Sequence, residues 1–205
     1  MPRGRYLVGG EVEEFACAAG PAGSGWRYTG VRRGSGRSVD LTLDGRGRPY
    51  RVEVASPDWV LRGGAAGTSL LWVRRPAAGD PPGPAGSAGF PAPGAAPAGS
   101  ERSAVAHGFL AGSPAFWVAL SRLVRLPVGQ ARRLRLVEVS WPALGTRLLD
   151  LEWRHVEEVG HPAGTATLSV SRYDATPLDT GQPWTVHLAG DVVVAGDGVE
   201  LLELE

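Results

Sequence analysis

Hydrophobic and polar residues alternate along the N-terminal third of the chain, at the spacing of two that is typical of β-strands. Asp44-Gly45-Arg46-Gly47 interrupts this pattern and predicts a hairpin turn, because glycine tolerates the positive φ of tight turns. The segment therefore predicts an antiparallel meander. Its strands are expected at Val12–Cys17, at Trp26 and Tyr28, at Val39, Leu41 and Leu43, at Tyr50, Val52 and Val54, and at Leu70–Val73.

The spacing of apolar residues changes after Gly112 and predicts one amphipathic helix over residues 113–126, about 14 residues long. Ser113 fits the N-cap and Pro114 the first helical position, while Pro127 cannot continue a helix. The apolar stripe of this helix consists of Phe116, Trp117, Leu120, Leu123 and Val124.

Strand patterns return after the helix, with Gly196-Asp197-Gly198 as a turn between the last two segments. The acidic end, where Glu200, Glu203 and Glu205 lie among leucines, predicts an edge strand protected against aggregation. About ten strands and one helix, without βαβ alternation, predict an antiparallel α+β domain that is mainly β. The expected C-terminal strands are residues 134–141, 148–156, 165–173, 184–188, 192–194 and 199–204.

Residues 76–103 consist almost entirely of proline, alanine, glycine and serine. Such a segment has too little bulky apolar surface to offset the entropy lost on ordering. We therefore expect a disordered loop at 76–103 that interrupts a single domain spanning residues 1–205.

The charge balance argues against two classes of partner. The chain has 21 basic and 21 acidic residues, and they are spread along its length. Nucleic acid or an anionic membrane surface would require a concentrated basic patch, so neither is expected. No stretch approaches the roughly 20 apolar residues that span a bilayer. A start without a long apolar segment, and a single cysteine, Cys17, predict the cytoplasm.

Known catalytic and cofactor motifs do not explain the sequence. The chain has no lysine and so no P-loop, its four histidines lack metal-binding spacing, and we expect no cofactor and no metal. The histidines are expected at the surface or at strand edges. Asp150, Glu152 and Arg154 share one strand face, which predicts a solvated charged row.

Seven tryptophans are the most informative residues. Trp117 on the helix and Trp26, Trp153 and Trp184 on strands are in phase with apolar neighbours. They are expected either to fill the space between helix and sheet or to line an apolar cleft of about 300–1,000 Å³. Periodicity leaves both alternatives open.

The second half of the chain resembles a bacterial glycolipid-binding family whose members look like the half-barrels of the LolA and LolB lipoprotein carriers. The resemblance implies an unclosed antiparallel barrel, curved around one principal α-helix, with an apolar groove suited to acyl chains. The 76–103 segment is not part of the family pattern. The matching motifs are Gly112-Ser113-Pro114-Ala115-Phe116, Val128-Gly129-Gln130, Pro142-Ala143-Leu144, Trp153 and Ser171-Arg172-Tyr173-Asp174, with Gly25-Trp26-Arg27 and Asp58-Trp59 in the first half.

The first functional hypothesis is noncatalytic binding of a lipid or glycolipid between helix and sheet. The alternatives are a small hydrolase or isomerase that uses Asp174, His155 or Glu157, and a protein-interaction module that uses an exposed sheet edge. The oligomeric state is left open. The residues expected to hold the apolar part of the ligand are Phe116, Trp117, Leu120, Leu151 and Trp153, and those expected at a polar headgroup are Arg147 and Tyr173.

Overall fold

A computed structural model describes residues 1–20, 25–77, 100–163 and 166–205. Within these ranges, fifteen strands form one sheet, and a single helix packs against it. The helix α1 spans Ala115–Val124. The strands are β1 Arg3–Val8, β2 Glu11–Ala19, β3 Trp26–Arg32, β4 Arg37–Leu43, β5 Pro49–Ala55, β6 Trp59–Ala66, β7 Ser69–Pro76, β8 Ser100–Val105, β9 Gly108–Ala111, β10 Ala131–Ser140, β11 Gly145–Ala163, β12 Ala166–Pro177, β13 Trp184–Ala189, β14 Val192–Gly196 and β15 Val199–Leu204.

The sheet is a meander in which β1 and β15 are neighbours at the centre. Strands β2 to β8 follow on the side of β1, and β14 down to β9 follow on the side of β15. All neighbours are antiparallel except β9 and β10. The two end strands, β8 and β9, are separated by only Ala106 and His107 along the chain. The sheet is therefore curved until its ends come close, but no ladder joins them and it does not close.

The predicted α+β class is wrong, since strands account for 67% of the described residues and helix for 6%. The protein is mainly β, with one short helix. Strands β1, β6, β8 and β9 had no sequence prediction. Strand β9 has only four residues, and β6 contains adjacent glycines, Gly63 and Gly64, which hide the alternation of side chains. No helix in the described ranges is long and apolar enough to cross a membrane.

The helix begins and ends differently from the prediction. It stops at Val124, because Arg125 has the left-handed φ of 47°. The predicted N-cap role of Ser113 is also wrong: Pro114 occupies that position, and no side chain caps the helix. The Ser113 hydroxyl instead donates to the Glu13 carboxylate at 2.6 Å. This charge-assisted hydrogen bond is stronger than the neutral bond to a backbone N–H that an N-cap serine would form.

One face of α1 is packed into the core of the sheet. Phe116 and Leu120 are buried against Leu41, Leu43 and Phe109. The space left among these side chains is about 10 Å³, close to the roughly 10–15 Å³ needed for a single water. This part of the interface between helix and sheet is solid core.

The acidic C-terminus is not the edge strand that its composition predicts. Strand β15 pairs with β14 on one side and with β1 on the other, where Arg5 binds Glu203 at 2.6 Å. Glu203 and Glu205 thus form ion pairs with Arg5 and Arg3 across a central ladder.

The prediction of a disordered loop is wrong at the C-terminal end of the 76–103 segment. Residues 100–103 belong to β8, whose backbone pairs with β7 although its side chains are largely exposed. This strand is held by backbone hydrogen bonds, and its sequence lacks the alternation of apolar residues from which a strand is predicted. Strand β7 continues through Pro76, and residues 78–99 lie outside the described ranges.

We expect Phe116→Ala to lower the free energy of unfolding by about 3–5 kcal/mol, because it leaves a cavity in solid core. Leu202→Ala removes an exposed side chain of β15 and serves as the control. Denaturant unfolding followed by circular dichroism measures both. An equal effect of the two substitutions would contradict the packing of α1.

Cys17 is buried on β2, and this burial raises the pKa of its thiol to about 11. The thiol is therefore neutral at pH 8 in the folded protein. We expect it to react with a disulfide reagent at pH 8 only after denaturant is added. The stability contributed by the protonated thiol is complete below its unfolded pKa and is lost as the pH rises towards 11. Rapid labelling of the native protein at pH 8 would disprove this placement.

Candidate ligand-binding cleft

A cleft of about 410 Å³ lies beside the first turn of α1. Its volume is within the range of about 300–1,000 Å³ typical of small-molecule sites. Three indoles dominate its walls, so we call it the tryptophan cleft. Its apolar lining consists of Trp117, Trp141, Trp184, Val8, Leu110, Ala111, Val139, Val186 and Val199, and its polar lining includes Arg32, Ser113, Glu138 and Asp197.

Two glycine turns form one rim of the tryptophan cleft. Gly9 and Gly198 have φ values of 57° and 70°, a region that favours glycine. The Gly9 amide donates to the Gly198 carbonyl at 3.0 Å, which joins the turn after β1 to the turn before β15. A Cβ at either position would meet nothing within 4 Å, so this rim is low and open.

Trp117 is held at the cleft by a row of stacked rings. Its indole lies parallel to that of Trp153, with 6.0 Å between ring centroids, and Trp153 stacks on Tyr173 at 4.7 Å. Tyr173 in turn stacks on His155 at 4.5 Å. Trp184 meets Trp117 edge-on at 5.9 Å. The row therefore fixes both Trp117 and Trp184.

A buried ion pair forms the polar end of the cleft. Glu13 on β2 and Arg32 on β3 are 2% and 5% exposed, and Arg32 Nε donates to Glu13 Oε2 at 2.8 Å. The other carboxylate oxygen, Oε1, accepts from Tyr28 Oη at 2.7 Å and from Ser113 Oγ at 2.6 Å. Arg32 Nη2 also donates to the Gly112 carbonyl. Together these bonds tie the start of α1 to β2 and β3.

Burial, together with the nearby Glu13 carboxylate, holds the pKa of Tyr28 well above its usual range. Tyr28 therefore remains a hydrogen-bond donor to Glu13 over the physiological pH range. At the other wall, the Arg37 guanidinium lies 5.3 Å from the centroid of the Trp141 ring. This cation–π contact orients Trp141.

The residues predicted to bind the ligand fall into three places. Trp117 lines the tryptophan cleft, and Trp153 and Tyr173 support it from behind. Phe116, Leu120 and Leu151 are in the solid core. Arg147 is 58% exposed and pairs with Glu138 and Asp179, and it does not line the cleft. The structure thus brings only part of the predicted set together, and ligand contact by any member stays a prediction.

Sequence reasoning missed the ion pair, although the pattern contained a signal for it. Glu13 is in phase with the buried Phe15 and Cys17 on β2, and Arg32 is in phase with the buried Trp26 and Tyr28 on β3. A charge at an inward position of each of two adjacent strands predicts a buried pair. Trp141 was likewise not predicted as a lining residue. It was expected to end the strand at 134–141, whereas the structure places it in the turn after β10.

The residues of the enzyme hypothesis lie outside the tryptophan cleft. The prediction of surface histidines is wrong for His155, which is buried with Nδ1 2.8 Å from the Leu126 carbonyl oxygen. Glu157 and Asp174 each lie near Arg172, and none of the three hypothesised residues lines the cleft. In the described ranges no group of three or more His, Cys, Asp or Glu side chains could hold a metal ion.

The row of Asp150, Glu152 and Arg154 is solvent-accessible, as its spacing predicts. Arg135 binds Asp150 at 2.8 Å and Arg154 binds Glu152 at 2.9 Å, both on the outer face of the sheet.

No family model matches this chain, and no curated protein matches it. Among solved structures, the crystal structure of a DUF1089 family protein from Pseudomonas aeruginosa is similar, with a TM-score of 0.52 and 12% sequence identity. The match covers 90% of this chain and 89% of that chain. At this identity the similarity is one of fold. The resemblance to glycolipid-binding proteins stays a prediction.

We expect Arg32→Met to lower the free energy of unfolding by about 3–5 kcal/mol, because it leaves the Glu13 carboxylate buried without its cation. Arg33→Met is the matched control one residue along, where Arg33 pairs with Glu14 on the exposed face. That substitution should leave stability almost unchanged, since exposed ion pairs contribute little. Chemical denaturation of both variants distinguishes them. Similar values for the two would show that the Glu13–Arg32 pair has no structural role.

Proposed function

We propose that this protein binds a lipid or glycolipid without catalysis, and that the apolar part of the ligand occupies the tryptophan cleft. The observation that carries the proposal is the cleft itself, about 410 Å³ in volume and lined mainly by indoles and aliphatic side chains. Indoles suit an amphiphilic ligand, because each offers an apolar body and one polar N–H.

The packing around α1 decides where such a ligand would lie. The side of the helix that carries Phe116 and Leu120 is filled, whereas the Trp117 side borders open space. The proposed site is therefore at the first turn of the helix and not along its length. The predicted cytoplasmic location of the protein stays a prediction.

Burial of apolar chain would supply the affinity. Each buried methylene contributes about 0.8 kcal/mol, so about ten of them contribute roughly 8 kcal/mol. That free energy corresponds to a dissociation constant near the micromolar range, before the cost of immobilising the ligand is subtracted. A single alkyl chain is sufficient for measurable binding.

The polar groups at the cleft favour binding over catalysis. Ser113 lies against Glu13 in the manner of a nucleophile beside a base. However, the Glu13 carboxylate also receives bonds from Arg32 and Tyr28 and is almost fully buried. It therefore has the partners of a structural ion pair.

Native mass spectrometry of the protein purified from cells tests the proposal. We expect bound lipid, seen as a mass adduct that is lost on collisional activation. Val199→Trp places an indole in the cleft and should reduce the adduct at least tenfold. Val12→Trp introduces the same side chain on the exposed face of β2 and should leave the adduct unchanged.

An apo mass that does not shift when lipids are added would refute lipid binding. Equal adducts in the two tryptophan variants would place the ligand outside the tryptophan cleft.

A further inference from the structure

One nitrogen of Arg32 is available to a ligand. Nε and Nη2 of this side chain bind Glu13 and the Gly112 carbonyl. The remaining nitrogen, Nη1, has no hydrogen-bond partner among the described residues. It is accessible to solvent, because it is not among the fully buried side-chain atoms that lack a partner. Arg32 lines the tryptophan cleft while being 95% buried. The cleft is therefore the opening through which a ligand could reach its free N–H groups.

The positive charge of Arg32 is already neutralised inside the protein. Glu13 lies 2.8 Å from it and pairs with no second cation among the described residues. The other two charged residues lining the cleft, Glu138 and Asp197, are both acidic. Glu138 pairs with Arg147, while Asp197 accepts the backbone N–H of Thr185 and has no ion-pair partner within the described part of the chain. Arg37, whose guanidinium lies over Trp141, pairs with Glu11 at 3.6 Å. The cleft and the groups around it thus carry no net positive charge.

We propose that the ligand presents an uncharged hydrogen-bond acceptor, an ester carbonyl or a hydroxyl, to Arg32 Nη1, and that the cleft discriminates against anionic headgroups. This inference rests on the proposed function. A neutral oxygen satisfies the free N–H groups without bringing a charge into the cleft. A carboxylate or phosphate would lose its hydration and meet a cation whose charge Glu13 already balances. The site is therefore suited to neutral amphiphiles such as monoacylglycerols.

The test compares ligands that share one alkyl chain. Tryptophan fluorescence of the wild-type protein is titrated at pH 8 with monododecanoylglycerol and with dodecanoate, both below their micelle concentrations. We expect the neutral ester to bind at least tenfold more tightly than the carboxylate. Equal or tighter binding of dodecanoate would overturn the inference and leave lipid binding intact. Binding of neither would instead reject the proposed function.

Glu13→Gln tests the electrostatic cause directly. The glutamine is nearly isosteric but uncharged, so Arg32 becomes a free cation in the cleft. The ratio of the two affinities should then shift by at least tenfold towards dodecanoate. Glu14→Gln, at the adjacent exposed position, should leave the ratio at its wild-type value. A folded Glu13→Gln protein with the wild-type ratio would overturn the inference; if that variant fails to fold, the wild-type comparison decides.

Discussion

The structure depends on how the start of its helix is attached to a sheet that does not close. Strands β8 and β9 end the sheet and do not pair with each other, so apart from the central ladder of β1 with β15, its two halves are joined by side-chain contacts. Glu13 and Arg32 provide the most buried of these contacts, reaching Ser113 and the Gly112 carbonyl far along the chain. A buried charge pair requires several additional hydrogen bonds of good geometry. Those to Ser113 and to the Gly112 carbonyl restrict the position of the helix.

Two exposed or half-buried contacts support the same attachment. Arg122, in the last turn of α1, binds Asp191 at 2.5 Å. Arg74 on β7 donates to the Ala143 carbonyl at 2.7 Å, and so links β7 to the turn between β10 and β11. The helix α1, which has contacts at both ends, packs Phe116 and Leu120 into the core, while the space beside Trp117 stays open.

The period of two located most strands, because a half-buried strand shows its two faces in its sequence. The period of two failed in strands whose two faces do not differ in polarity. Gly63 and Gly64 in β6 have no side chains to alternate, and β8 pairs through its backbone while its side chains are largely exposed. The two alternatives predicted for the tryptophans, filling the core and lining a cleft, both occur. Trp26 and Trp153 are core, whereas Trp117 and Trp184 are half-buried. One rim of the cleft is formed where Gly9 meets Gly198, two residues that are far apart in the sequence. A pattern read over neighbouring residues cannot predict such a contact.

A crystal structure of the protein grown with monododecanoylglycerol tests the proposed site most directly. We expect electron density for the alkyl chain among Trp117, Trp141 and Trp184, with the ester oxygen near Arg32. A cleft that is closed by side chains, or that contains only ordered water at saturating ligand, would contradict it.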